Sequence, residues 1–412
     1  MMIRILRRLR SYILILPFLL IRNKAKFIAI TGTDGKTTSS TLLYNMFLKE
    51  GFKVACFTTI GIFYNDGFIQ SGLHTTTPSA YDLRKKLFLF RNYDYIIIET
   101  TSIGIDQGRI AGLRFDAILY TNITLDHLDY HKTWERYAYV KSSLQKYLKR
   151  TGFAIINKDD KKSFEFLSKQ FKTIKYYTYS IYDSASDIHA FNVTKDSFDV
   201  KFIKSTYSFK TKLLGEYNIQ NSILCIATAL KFNISENSIS EVLKNPPVIS
   251  GRFEIVSQEP FIVVDFAHTP NAILNVLETL DKMRKKDTSR IITLFGAPGE
   301  RDKFKRPKMG ENAALFSDII IITADDPRFD DQKEIYKDII KNIDTTIFRE
   351  NVNIFRIDDR GSAIDFAMDL SNKDDIIALL GKGHERSLAI KGKEIPWSDK
   401  EYILKKVKHG KK

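Results

Sequence analysis

From residue 26 onward, short runs of consecutive apolar residues alternate with longer amphipathic stretches. The runs fall at 27–30, 54–59, 95–99, 117–121 and 153–157. Continuous rather than alternating apolar positions suit the strands of a parallel sheet buried on both faces. Helix-length segments lie between them, such as 38–49 and 134–148. The stretch 187–214 breaks this rhythm and predicts short strands forming an antiparallel flap or edge, with a helix to follow at 221–230. Asn245-Pro246-Pro247 marks a boundary, and Gly251-Arg252 opens a new unit. There the strand–helix rhythm restarts, with apolar runs at 262–266, 291–295, 319–323, 354–357 and 376–380. That pattern predicts a second doubly wound domain.

The first apolar run leads into Thr31-Gly32-Thr33-Asp34-Gly35-Lys36-Thr37-Thr38, and a helix follows. Glycines in such a turn let backbone N–H groups wrap a phosphate, and the helix N-terminus adds a favourable dipole. Lys36 is placed to reach the terminal phosphates of a nucleotide, and Thr37 to put its hydroxyl on Mg²⁺. Gly32, Thr33, Asp34, Gly35, Lys36, Thr37 and Thr38 are therefore the candidate nucleotide loop. NTPases, kinases and ligases all use one, so it does not name a reaction. The expected architecture is α/β throughout. A basic and apolar segment (1–25) precedes a P-loop-type doubly wound central ATPase domain (26–248), and a Rossmann-like C-terminal domain (249–412) follows.

The length of 412 residues suits two such domains. A formal charge of +15 points to acidic partners. The basic residues are scattered along the chain rather than gathered in a stripe. That favours nucleotide and carboxylate substrates over a nucleic-acid groove. Cys56 and Cys225 are the only cysteines and have no metal-ligand spacing, which fits a reducing, cytoplasmic setting. At the N-terminus, a basic stretch (1–10) precedes an apolar run (12–21) that no small-residue cleavage site follows. The run is too short to span a bilayer comfortably. It reads either as an amphipathic helix packed on the body or as a helix lying on an anionic membrane.

Further motifs follow in order. They are Thr75-Thr76-Thr77-Pro78, Glu99-Thr100-Thr101-Ser102, the run Thr121-Asn122 to Asp126-His127-Leu128-Asp129-Tyr130-His131, and Gly251-Arg252-Phe253-Glu254. Asp265-Phe266-Ala267-His268-Thr269-Pro270, Gly299-Glu300-Arg301-Asp302-Lys303, Asp325-Asp326-Pro327-Arg328 and Gly381-Lys382-Gly383-His384-Glu385 complete the set. Together with the nucleotide loop they resemble the Mur ligases, the amide-forming enzymes of peptidoglycan precursor synthesis. Within that family they look most like the branch that adds the third residue of the stem peptide. The resemblance runs from about residue 26 to 400. It implies phosphorylation of a carboxylate by ATP with Mg²⁺, then displacement of the phosphate by an amine.

The resemblance also assigns roles. Glu99 ends an apolar strand, where α/β sheets place ligands, and matches a magnesium-binding glutamate. His127, which alone reads equally as a helix-start or core histidine, matches a ligand of a second Mg²⁺. Lys141, a solvated lysine by composition, matches a carbamylated lysine that helps to hold the metal. Asn218 and Asn221 match adenine contacts, although asparagine is also a common helix cap. Arg252, Asp265 and His268 match residues that meet the nucleotide when the domains close. Thr76, Thr77, Ser102 and Arg109 match the muramoyl-peptide site, where a guanidinium suits a carboxylate. Arg301, Asp325, Asp326, Arg328, Gly381 and Glu385 match the amino-acid pocket. Arg328 favours an amino acid with a distal carboxylate, such as meso-diaminopimelate. Asp326 stands where the diaminopimelate pattern has asparagine, which leaves lysine open.

The family begins with a domain that holds uridine nucleotide, whereas about 25 residues precede the loop here. Three expectations follow. The UDP part is held weakly, a partner supplies its site, or the acceptor is not UDP-linked, in which case a lipid-linked acceptor met at the membrane is one form. A folate or poly-γ-glutamate acceptor, and a non-catalytic nucleotide-binding subunit, are the competing functions. Retention of Lys36, Glu99, His127 and Lys141 speaks against the last.

Overall fold

The computed structural model describes residues 23–65, 67–70 and 76–409, together with Arg7, Arg10, Ser11 and residues 13–15. The side chains of 408 and 409 are outside that description. Thr75 of the threonine-proline motif also lies outside the described residues. So does most of the N-terminal segment, and with it the expectation of membrane contact. At its described positions, Ile15 is buried against Ala80 and Ala111, and Ser11 Oγ donates to the Gln107 carbonyl at 3.1 Å. Among the described residues no helix is long and apolar enough to cross a membrane.

The chain forms two compact units, each described by itself. The first comprises residues 1–124 and 133–247, and the second comprises 125–132 and 248–412.

The first unit is built on one sheet. Its strands are β1 (Lys26–Thr31), β2 (Val54–Phe57), β3 (Gly61–Tyr64), β4 (Gly67–Gln70), β5 (Tyr95–Glu99), β6 (Phe115–Tyr120) and β7 (Leu148–Asn157). β8 (Tyr176–Ser180), β9 (Ile188–Phe191), β10 (Ser197–Phe202) and β11 (Ser205–Lys210) extend it. The order is β11-β10-β9-β8-β7-β6-β1-β5-β2-β3-β4. The middle of the sheet, from β9 to β2, is parallel, and both flanks are antiparallel. Parallel strands are covered on both faces by their crossover helices, which is why their runs are apolar without alternation. One face packs against the helices Lys36–Lys49, Glu216–Lys231 and Glu236–Lys244, with Phe47, Leu224 and Ile239 in its core. The other face buries Phe57, Leu83, Phe115 and Tyr137. The expected helix at 134–148 is the α-helix Trp134–Ser142 followed by a 3₁₀ turn, Ser143–Tyr147. Cys56 and Cys225 are buried, and burial pushes both thiols above their usual range.

The second unit has a six-stranded sheet. Its strands are β12 (Glu254–Gln258), β13 (Phe261–Asp265), β14 (Ile291–Phe295), β15 (Ile319–Ile322), β16 (Ile354–Arg356) and β17 (Ile376–Leu380), in the order β12-β13-β17-β14-β15-β16. Only β12 is antiparallel to its neighbour. A hairpin of β18 (Ser387–Ile390) and β19 (Lys393–Pro396) precedes the helix Asp399–His409. The loop after β1, Glu99, Asp265, Asp325 and Gly381 stand at or just beyond the carboxyl ends of parallel strands, where an open α/β sheet leaves its crevice.

Candidate active site

In the first unit, β1 ends at Thr31 and the helix Lys36–Lys49 starts at a cap, Gly35, with φ 80°. Such a φ suits glycine. A Cβ at Gly35 would lie 2.4 Å from Asn221 Oδ1, and one at Gly32 would lie 1.8 Å from Thr121 Oγ1. The two glycines thus let the loop turn tightly against its neighbours. No side-chain hydrogen bond is made to this helix cap, and the start of a helix is a favourable place for an anion. Lys36 Nζ folds back over the loop and donates to the carbonyls of Gly32 (3.0 Å) and Thr33 (2.6 Å). Lys141 is 1 % exposed and donates to Gly32 O at 2.7 Å. Composition alone marks Lys141 as solvated; the fold buries it because its helix packs Tyr137 and Val140 into the core beside it. Asn221 Oδ1 accepts from Ser39 Oγ at 3.2 Å, and Asn218 Nδ2 donates to Leu214 O at 2.7 Å. Both asparagines are buried within the helix rather than at its cap. The glycine turn, the uncapped helix and Lys36 fit the triphosphate of ATP.

β5 lies beside β1 in register, so Glu99 emerges next to the loop. Glu99 is fully buried. Thr59 Oγ1 bridges Glu99 Oε2 (3.1 Å) and the Thr76 hydroxyl (3.0 Å). Thr77 Oγ1 donates to Glu99 O at 3.3 Å, and Arg109 donates to Thr77 O at 2.6 Å. Ser102, buried, opens the next helix, whose cap is Thr101. Carboxylate and threonine oxygens are the donor chemistry that Mg²⁺ takes. The fold therefore brings Lys36, Glu99, Lys141, Thr76, Thr77, Ser102 and Arg109 to one region of this unit. Thr59 went unassigned in the sequence because a lone threonine at the end of a strand carries no signal.

In the second unit, His127 caps the short helix Leu128–His131 with φ 56°. Its Nε2 is 3.4 Å from Asp126 Oδ2, and His268 Nε2 is 4.0 Å from the same oxygen. Burial alone would raise the Asp126 carboxyl. His127, Lys305 and His268 outweigh it and hold the group well below the carboxylate range. Asp265 Oδ2 accepts the Phe253 N–H at 2.6 Å. The Arg252 guanidinium stacks on the Phe266 ring, 4.6 Å from its centroid, and His268 and His384 pack on the same ring. Burial pushes His384 down to about 3, and Arg252 adds to that push.

The four remaining acidic and glycine candidates form one cluster. Asp325, Asp326 and Glu385 present carboxylate oxygens within 4.8 Å of one another. A Cβ on Gly381 would lie 2.3 Å from Asp325 Oδ2. The cation among them is Lys382, whose Nζ lies 2.8 Å from Asp326 and 2.5 Å from Glu385. Asp326 Oδ1 also accepts the Ala389 N–H at 2.9 Å. Burial pushes Asp325 up to about 6; Lys382 and Arg360 oppose that rise, and Asp326 and Glu385 reinforce it. Arg328, with φ 52°, donates to Gly299 O at 3.3 Å, and Arg301 stands exposed on the loop that follows Gly299. Lys382 lay inside a recognised motif, yet its role appears only when the two loops meet. Arg360 had no motif around it. It is fully buried on Asp399 and donates to the carbonyls of Ala324 and Leu380 at 3.0 and 3.1 Å.

A phosphate loop on a parallel sheet, acidic and hydroxyl groups beside it, and a second doubly wound unit with a buried carboxylate–lysine cluster define a nucleotide-binding two-unit class, to which the ligases belong. The chain matches the Mur ligase middle domain over residues 30–229 and the Mur ligase glutamate ligase domain over residues 251–383. It is 35% identical over 398 residues to the UDP-N-acetylmuramoyl-L-alanyl-D-glutamate--2,6-diaminopimelate ligase of Clostridium perfringens, covering 93% of this chain and 78% of that one. Identity to the Aquifex aeolicus protein of the same name is also 35%, over 384 residues and 76% of its length, with 91% of this chain covered. A solved structure of a ligase of that name superposes with a TM-score of 0.62 at 26% identity, covering 98% of this chain and 82% of that one. The Escherichia coli FolC complex with DHPP and ADP has a TM-score of 0.73 at 17% identity, covering 97% and 93%, a likeness of fold alone. The protein belongs to the Mur ligase family and is a ligase.

Proposed function

We propose that the protein uses ATP to join meso-diaminopimelate to the D-glutamate carboxylate of a UDP-N-acetylmuramoyl-L-alanyl-D-glutamate acceptor, in the cytoplasm. Residues 26–248, apart from the segment 125–132 that belongs to the second unit, form its ATP-binding part, and 249–412 its amino-acid part. The observation that carries this reading is the hydroxyl and carboxylate chain Thr76–Thr59–Glu99, set beside the phosphate loop and joined to Arg109 through Thr77. It supports an anion clamp, a metal-type donor set and a carboxylate-binding arginine working within one unit.

Lys36 and the loop N–H groups hold the nucleotide, with Asn218 and Asn221 at its adenine end. Thr37, Glu99 and, if carbamylated, Lys141 would hold Mg²⁺, and His127 would be a ligand of a second Mg²⁺. ATP supplies the phosphoryl group that makes the carboxylate reactive, and Mg²⁺ supplies positive charge against the phosphates. Thr76, Thr77, Ser102 and Arg109 orient the acceptor, so that much of the rate comes from placing its carboxylate. Arg252, Asp265 and His268 are the nucleotide-contact candidates of the second unit. The amine is held by Arg301, Arg328 and the cluster of Asp325, Asp326, Gly381 and Glu385.

Asp326 shares Lys382 with Glu385 and also accepts the Ala389 N–H. Arg328 is the candidate to receive a distal carboxylate, which supports diaminopimelate over lysine, as do the names of the Clostridium perfringens and Aquifex aeolicus relatives.

The test is phosphate release with Mg-ATP, the UDP-linked dipeptide and a panel of amines, with mass spectrometry of the product. A tripeptide product with diaminopimelate, lost on Lys36→Met by at least about 100-fold, is the expected result. No product with any amine, while Mg-ATP still binds, would sink the UDP-linked acceptor. Lipid-linked acceptors, or a partner protein that completes the site, would then be tried.

A further inference from the structure

The second unit buries a lysine that the reaction described above does not use. Lys305 is 3 % exposed. Its Nζ lies 3.0 Å from Asp126 Oδ1. Three residues earlier in the chain, the buried Asp302 carboxylate accepts the Leu128 N–H at 2.8 Å. The two contacts land on residues 126 and 128, one on each side of His127. His127 itself holds φ 56°. A non-glycine residue takes that left-handed conformation uncommonly and at some cost, which contacts around it can offset. Here such contacts are visible. An ammonium and a carboxylate from one loop grip the residue before and the residue after the turn.

An incidental ion pair would be expected at the surface and would contribute little. This one is buried on both sides, so losing either partner leaves a charge in a poorly solvated place. The same Asp126 carboxylate faces His127 and His268 through its second oxygen. Asp126 thus links the lysine to both imidazoles.

We infer that Asp302 and Lys305 are positioning residues that clamp the turn 126–128 and so set the direction of the His127 imidazole. The functional half of this inference rests on the reading of His127 as part of the reacting site; the clamp itself does not. Because Arg301 directly precedes Asp302, the clamp and the proposed amino-acid pocket share one loop.

The test uses the full chain and two readouts. The first is amide hydrogen exchange at Leu128 without substrates, in wild type, Lys305→Met, Lys305→Arg and Asp302→Ala. Lys305→Met and Asp302→Ala are expected to speed exchange at 127–131 by about tenfold or more, with β13, β14 and β17 unchanged. Lys305→Arg is expected to restore most of the protection. The second readout is steady-state kinetics. For Lys305→Met, kcat is expected to fall by about tenfold or more while KM for ATP moves by less than about threefold. Wild-type exchange at Leu128 in both variants would overturn the clamp, and so would uniform loosening of the whole unit. A loosened turn with wild-type kcat would overturn the positioning role. Full activity in His127→Ala would instead show that the reading of His127 is wrong, with the clamp still standing on the exchange data.

Discussion

Asp325 shows what burial does to a single carboxyl group. Its pKa is pushed up to about 6, first by loss of water and then by Asp326 and Glu385, against Lys382 and Arg360. A carboxyl raised in the folded state contributes stability that is complete below its unfolded pKa and disappears as pH rises through the folded value. The sensitive window therefore lies between about 4 and 6. Asp325→Asn should gain stability relative to wild type across that window, by an amount on the order of 2 kcal/mol. Urea denaturation of both proteins at pH 4 and pH 7 checks this, and an unchanged difference between them would refute it. Other single residues differed in how far their neighbourhood could be read beforehand. Lys36 and Glu99 could be placed because a glycine turn and a strand end stood beside them in the chain. Lys305 could not, because its counter-charge, Asp126, is 179 positions away. Lys141 likewise became a buried lysine only through the loop carbonyl of Gly32, 109 positions away.

At the level of elements, β1, β5, β14 and β17 could be read from the sequence because both of their faces are buried and their apolar runs are unbroken. The hairpin β3–β4 could not, since its half-exposed residues mix glycine, aromatic and polar side chains. β8 was hidden for the same reason, as a run of tyrosine, threonine and serine without an apolar core pattern. The 3₁₀ turn after Ser142 was hidden too, because its leucine continues the helical spacing. The ends of β15 and β17 are tied by Arg360, whose guanidinium reaches Ala324 O, Leu380 O and the Asp399 carboxylate of the last helix. Arg360→Met would leave Asp399 charged and buried, with Trp397 Nε1–H as its remaining described side-chain donor. We expect a loss of roughly 3–5 kcal/mol, read as a lower denaturation midpoint with an unchanged slope. Asp399→Asn made together with it should recover part of that loss. A drop below about 1 kcal/mol would mean that the clip is not structural.

For the molecule as a whole, the restart of the strand rhythm near Gly251 announced a second α/β unit. Nothing in that rhythm announced that residues 125–132, which sit between β6 and β7 in the chain, would join it. Local pattern cannot carry such information, because the residues that recruit this segment, Asp302 and Lys305, come much later in the sequence.

The second unit is therefore discontinuous along the gene. A fragment that begins at residue 248 lacks the carboxylate that neutralises Lys305 and the amide that Asp302 receives. It should express poorly or melt early, and a synthetic peptide spanning 121–133 added in trans should raise its melting temperature. By the same logic, C-terminal halves exchanged between relatives at the Pro246–Pro247 boundary will work as modules only when residues 125–132 travel with them.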